Sequence, residues 1–131
     1  MITHCTYCSA DKNHLESPTE AIHVYKSNRI LSLYGTAIEQ KVGFIILSGK
    51  FGIISPTDKI DYYDHLLIAT EVQAHAELIS TQIKAKGISK IVFFMNSLEQ
   101  DTNLQPYLDC MKMACQKANI QLTVEITDLQ D

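Results

Sequence analysis

Apolar and polar positions fall into blocks along this chain, and the period changes from block to block. Residues 42–47 (VGFIIL) form an apolar run that ends abruptly at Ser48-Gly49-Lys50-Phe51-Gly52. Its length and β-branched content predict a strand over residues 42–48, buried on both faces and central in its sheet. Residues 91–95 (IVFFM) predict a second buried strand. Residues 120–126 (IQLTVEI) alternate cleanly, as a strand with one exposed face at a sheet edge does. Residues 2–7 are a weaker candidate, poor in apolar content but sharply bounded by the polar loop 9–13.

Between these strands the period lengthens to that of a helix. Ser27 or Asn28 suits the N-cap of a helix running to about Gln40, with Ile30, Leu31, Leu33, Tyr34, Ala37 and Ile38 as its apolar stripe. Val72, Ala76, Ile79 and Ile83 predict a second helix over residues 70–86, stopped by Gly87, with His75 on its exposed face. A third runs from Pro106 to Ala118, with Leu108, Met111, Met113 and Cys115 facing the sheet and Asn119 at its end. Pro18 suits the first turn of a further short helix. Strand and helix thus alternate. The expected fold is α/β in three layers, a mostly parallel four-stranded sheet with helices on both faces, in one domain over residues 1–131.

Composition narrows the partners. The net charge of −4 argues against a broad electrostatic grip on duplex nucleic acid, though a local basic pocket is compatible with it. No apolar run approaches the roughly 20 residues of a membrane helix. The start, MITHCTYCSADK, lacks a basic region leading into an apolar stretch, so no secretory signal and no membrane partner are expected and the cytoplasm is the default compartment. Cys5, Cys8, Cys110 and Cys115 are then expected as thiols. The Cys5-Thr6-Tyr7-Cys8 spacing raises redox or zinc chemistry, but a polar loop follows where a redox pair would open a helix, and Cys110 and Cys115 lack matching ligand spacing. No metal and no cofactor are expected.

The chemistry concentrates where strands end. In an open α/β sheet, ligands collect at the carboxyl edge. Residues 49–68 have few regular signals, and long loops of that kind are often functional. Lys50, in a turn between Gly49 and Gly52, suits a phosphate or carboxylate held with backbone N–H groups, or is a solvated loop lysine. Ser48 is a candidate catalytic hydroxyl, though no nucleophile elbow surrounds it and a hydrogen-bonding role fits better. Ser9 and Lys12, after the first strand, would face the same pocket or simply make a turn. Tyr25, Ser27 and Arg29 gather at the start of the first helix, where Arg29 makes either an anion site or a surface salt bridge. Tyr62 and Tyr63 offer faces for a base, and Asp64 is the candidate catalytic carboxylate; the bland alternative is that the tyrosines pack the loop.

Two stretches together resemble a known family. I-L-S-G-K-F-G-I-I-S-P-T-D-K-I-D-Y-Y-D-H-L-L resembles the L-S-A-K-Y-G-L, Pro, P-Y-D-x-x-L signature of a family of small bacterial, archaeal and phage domains. Cys8-Ser9-Ala10-Asp11-Lys12 and Val24-Tyr25-Lys26-Ser27-Asn28-Arg29 are similar to that family's C-S-x-x-K and L-Y-x-S-x-x segments. A more distant similarity is to the peroxide-stress protein YaaA family, which is associated with DNA. The resemblance covers roughly the first half of the chain and implies fold more than function. Gly49 stands where Ala is usual, Phe51 where Tyr is usual, and Asp61 where Pro is usual; the Phe51 change removes a phenol hydroxyl.

Three readings follow. The first is a pocket that binds or acts on a nucleotide, nucleoside or nucleic-acid base, with N-glycosidic bond chemistry as the reaction. The second is a non-catalytic ligand-binding or protein-interaction module. The third is a thiol redox or zinc protein using Cys5 and Cys8. A homodimer would pair through the edge strand or the third helix.

Overall fold

Each period in the sequence resolves into the element it calls for, with additions in the stretch that carried no period. The computed structural model describes every residue, Met1–Asp131. In order the elements are β1 (Ile2–Tyr7), β2 (Thr19–Glu20), α1 (Ala21–Val24), α2 (Asn28–Gln40), β3 (Gly43–Ser48), β4 (Gly52–Ile54), β5 (Lys59–Ile60), α3 (Val72–Lys86), β6 (Lys90–Asn96), α4 (Gln105–Ala118) and β7 (Gln121–Thr127). Single 3₁₀ turns, Ala69–Glu71 and Thr102–Leu104, lead into α3 and α4.

The main sheet has five strands in the order β4-β3-β1-β6-β7. Strands β3, β1, β6 and β7 run parallel, and β4 folds back antiparallel on β3. A two-residue ribbon, β2 with β5, stands apart. The fold class is therefore the α/β sandwich expected, with corrections. There are five strands rather than four, because residues 52–54 of the supposed loop pair with β3. The centre belongs to β1 and not to β3. Apolar content misplaced it: β1 buries Thr3, His4 and Thr6, polar side chains that a flanking strand would leave at the surface. Pro18 precedes the short strand β2, with the four-residue α1 only after it.

Helix α2 covers one face of the sheet, packing Ile30, Leu33 and Ala37 on Phe44, Ile46 and Ile54. Helices α3 and α4 cover the other, with Ile79, Ile83, Met111 and Ala114 over Cys5, Ile45, Leu47, Ile91 and Phe93. Ser27 caps α2, its Oγ accepting from the Ile30 N–H at 3.1 Å. Lys41, Gly87 and Asn119 end α2, α3 and α4 in the left-handed conformation. No helix is long and apolar enough to cross a membrane.

This topology fixes where a site belongs. From β1 the chain passes by α2 to β3 on one side; from β3 it passes by α3 to β6 on the other side of β1. The strand order reverses between β1 and β6. Loops leaving their carboxyl ends diverge there and leave a crevice.

Candidate functional site

A cavity of about 200 Å³ occupies that crevice. The loop after β1 supplies Cys8, Ser9 and Lys12, the loop after β6 supplies Asp101, and Tyr107 enters from the first turn of α4. Residues 64–66 close it from above. Their other side walls a larger, open groove of about 660 Å³ that holds Gly49, Lys50, Tyr63, Glu71 and His75. Asp64 and His65 line both, forming the ridge between them.

Lys12 is the unusual group. It is only 9% exposed, yet its Nζ makes no hydrogen bond and no ion pair. It lies over the rings of Tyr63, 4.7 Å from the centroid, and Tyr25, at 5.8 Å. The loop that carries it is pinned by backbone bonds, Asn13 N–H to the Val24 carbonyl and Lys26 N–H to the Asp11 carbonyl, so the main chain at Lys12 is held in place by the fold.

Beneath it runs a closed chain of hydroxyls. The Tyr25 and Tyr63 phenols share a hydrogen bond of 2.6 Å, and Ser48 Oγ donates to the Tyr63 oxygen at 2.9 Å. The same Ser48 oxygen accepts from the backbone N–H groups of Lys50 and Phe51, at 3.1 and 3.0 Å. Ser48 is fully buried, and its capacity is spent on the turn. These contacts are those of the hydrogen-bonding role that fits Ser48 better from sequence. Burial is the main cause that pushes both phenols well above the ordinary tyrosine range, so they stay neutral. Phe51 sets the edge of its ring against Tyr63, with centroids 5.1 Å apart. His75, expected on an exposed face, is buried and donates from Nε2 to the Ser48 carbonyl at 2.8 Å.

Arg29 is a buried staple. Its Nη1 donates to Thr6 Oγ1 at 2.6 Å and the Tyr7 carbonyl at 2.9 Å, and its Nη2 to the Cys8 carbonyl at 3.3 Å. Its Nε donates to Asp131 Oδ1 at 2.8 Å. Of the two readings of Arg29, the structure shows an ion pair with a carboxylate of the same chain, its guanidinium buried rather than at the surface. Ser27 Oγ donates to the same oxygen at 2.8 Å.

The remaining candidates separate. Ser9 lines the cavity, but its Oγ donates to the Asp11 carbonyl in a turn. Gly49 lies where a Cβ would stand 2.8 Å from the His65 carbonyl, so glycine lets residues 65–67 close down on the end of β3. Gly52, at φ +79°, belongs to the β3–β4 hairpin and lines neither hollow. Tyr62 stacks on His14, 5.1 Å between centroids, and faces neither hollow. Tyr25 and Ser27 border a different, shallow depression beside α2.

Sequence reasoning missed Tyr7, Asp101, Tyr107 and Asp131 as lining residues. Tyr107 accepts from the Leu67 N–H at 3.1 Å, and the Cys8 thiol reaches the same oxygen at 3.8 Å. The signal that nominates them is topological: a switch point marks the loops after β1 and β6, whereas the hydroxyl, lysine and glycines in the sequence mark the turn after β3.

The thiols do not combine. All four cysteines are free; Cys5 is fully buried under α3 and α4, while Cys8 opens on the cavity. Burial raises the Cys5 pKa well above the ordinary value and holds Cys110 and Cys115 at about 12. No three His, Cys, Asp or Glu side chains gather closely enough to hold a metal ion, so the zinc reading has no ligand set. Comparisons with protein-family models, with curated proteins and with solved structures return no match.

Proposed function

We propose that this protein binds a nucleotide, nucleoside or nucleic-acid base in the cavity between the ends of β1 and β6, with an N-glycosidic bond as the point of reaction. The observation that carries the reading is Lys12, a lysine only 9% exposed whose ammonium has no anion, bordering a hollow that Tyr7 and Tyr107 also line. The ammonium rests against two ring faces but has no opposite charge beside it. An anionic guest supplies one. Tyr7 and Tyr107 put aromatic residues in the wall, and Asp64 and Asp101 offer acceptors for sugar hydroxyls or an exocyclic amine. In this reading Asp64 activates water or stabilises a cationic sugar. The sequence resemblance to families found with nucleic-acid functions agrees with it.

A thermal-shift panel of bases, nucleosides and nucleoside monophosphates tests the reading, because occupancy raises the melting temperature. Monophosphates are expected to stabilise the protein, and Lys12→Ala to remove most of that shift. A panel silent for every member sinks the proposal. For turnover, Asp64→Asn is expected to abolish base release while leaving the shift intact. A second reading, binding without turnover, is favoured by Ser48, whose hydroxyl is consumed within the fold. Stabilisation by monophosphates with no base release from the parent protein selects it.

A further inference from the structure

We propose that Asp131 is a stand-in: its carboxylate fills an anion subsite, built by Arg29 and Ser27 at the rim of the cavity, that the phosphate of a phosphate monoester takes when residues 128–131 move aside. The inference rests on the nucleotide reading for the rest of the guest, and names the group that enters first.

The donors of this subsite are fixed and its acceptor is not. Arg29 is 1% exposed, and three bonds from its Nη atoms to Thr6, Tyr7 and Cys8 hold the guanidinium whatever Asp131 does. Its Cζ also sits 3.7 Å from the centroid of the Tyr7 ring. Only Nε points outward, to Asp131. Ser27 Oγ, fixed by capping α2, aims at the same oxygen, and the start of a 13-residue helix adds its own attraction for negative charge. The acceptor is different in kind. Asp131 is 44% exposed, and its segment is otherwise tied to the body by one hydrogen bond, Asn96 Nδ2 to the Leu129 carbonyl at 3.1 Å, and by the packing of Leu129. Gln130 bonds only within the segment, to the Asp128 carbonyl.

The pairing points to the guest. Asp131 forms its ion pair with Arg29 alone, while Lys12 lines the same cavity with no ion pair of its own. Asp64 and Asp101 also line it, but neither pairs with Lys12. A carboxylate ligand would only replace Asp131 like for like. A phosphate monoester dianion brings the second negative charge and enough oxygens to meet Arg29 Nε, Ser27 Oγ and Lys12 together. The segment then acts as a built-in competitor.

Inorganic phosphate is the probe, titrated into the parent protein, Asp131→Ala and Asp131→Asn while the Arg29 Nε–H correlation is followed by NMR. Asp131→Ala is expected to bind phosphate at least tenfold more tightly than the parent, with saturable movement of the Arg29 signal, and Asp131→Asn to fall between them. Adding Lys12→Ala to Asp131→Ala is expected to reverse most of the gain. Equal titrations in parent and both variants overturn the proposal, as does an Arg29 signal that ignores phosphate. Loss of the fold in both variants also overturns it, since Asp131 is then a structural counter-ion. The two proposals fail separately: phosphate binding by Asp131→Ala with a silent nucleoside panel removes only the nucleotide reading, and equal stabilisation of parent and variants by nucleotides removes only the stand-in.

Discussion

Ser48 shows how a hydroxyl that the sequence leaves between a catalytic and a hydrogen-bonding role is engaged by partners far along the chain. It follows a buried strand and precedes a glycine-flanked lysine, which is where a reactive serine is looked for. What decides its role is Tyr63, fifteen positions later, and Tyr25, on a different element. No local pattern contains those partners, so the position and the better-fitting role were legible and the partners were not. The consequence is a stability effect. Ser48→Ala leaves the Lys50 and Phe51 N–H groups without their acceptor and the Tyr63 oxygen without its donor, in a fully buried place. Part of each N–H finds water, so the expected cost is about 2–3 kcal/mol, or a fall of roughly 10 °C in melting temperature for a chain of this size. Calorimetry checks it. An unchanged melting temperature together with lost ligand binding would return Ser48 to the catalytic role.

At the scale of elements, the strong periods carried their segments: α2, α3, α4, β3, β6 and β7 lie within a residue or two of where apolar spacing puts them. Strand β4 was invisible for a physical reason. Three residues, Gly52-Ile53-Ile54, are too few to show a period, and half of the edge they form is satisfied from a helix. Gln82 of α3 accepts from the Ile53 N–H through Oε1 at 2.8 Å and donates from Nε2 to the Phe51 carbonyl at 2.9 Å. The amide thus completes the outer edge of β4 as a neighbouring strand would, and blunts it against pairing with another chain. Gln82→Ala is expected to cost about 1–2 kcal/mol, since water can reach an edge. Its clearer mark is local: hydrogen exchange at the Ile53 amide should accelerate by tenfold or more while amides of β1 and β6 keep their protection. Uniform acceleration across the sheet would mean that β4 is no separate unit and the edge argument is wrong.

For the whole molecule, the alternation of strand and helix made the α/β class legible, but not the strand order, and the order is what locates the cavity. Choosing β1 over β3 as the centre requires knowing that polar side chains on β1 are buried: Thr6 Oγ1 donates to the Phe94 carbonyl at 2.9 Å and accepts from Arg29, while Thr3 Oγ1 and His4 Nδ1 are buried without a partner. The same dense centre makes the molecule sensitive to alkali. Cys110 and Cys115 are raised by burial from 9.0 to about 12, Cys5 is raised too, and Tyr25, Tyr63 and Tyr107 are raised from 10.0, all with burial as the leading cause. Each group keeps its proton in the folded state at a pH where the unfolded chain has released it. The folded state therefore binds more protons, and stability falls as pH rises. The contribution is intact below about pH 9 and is lost progressively from there to about pH 12 as first the thiols and then the phenols of the unfolded chain ionise. Urea unfolding at fixed pH values should show a flat midpoint from pH 7 to 9 and a steady decline above it. Cys110→Val should delay the onset, because it removes one proton from that difference. Tyrosinate absorbance at alkaline pH should develop for Tyr25 and Tyr63 only together with unfolding, so a phenol signal from both in a still-folded protein would show that the hydroxyl chain under Lys12 is open to water rather than closed.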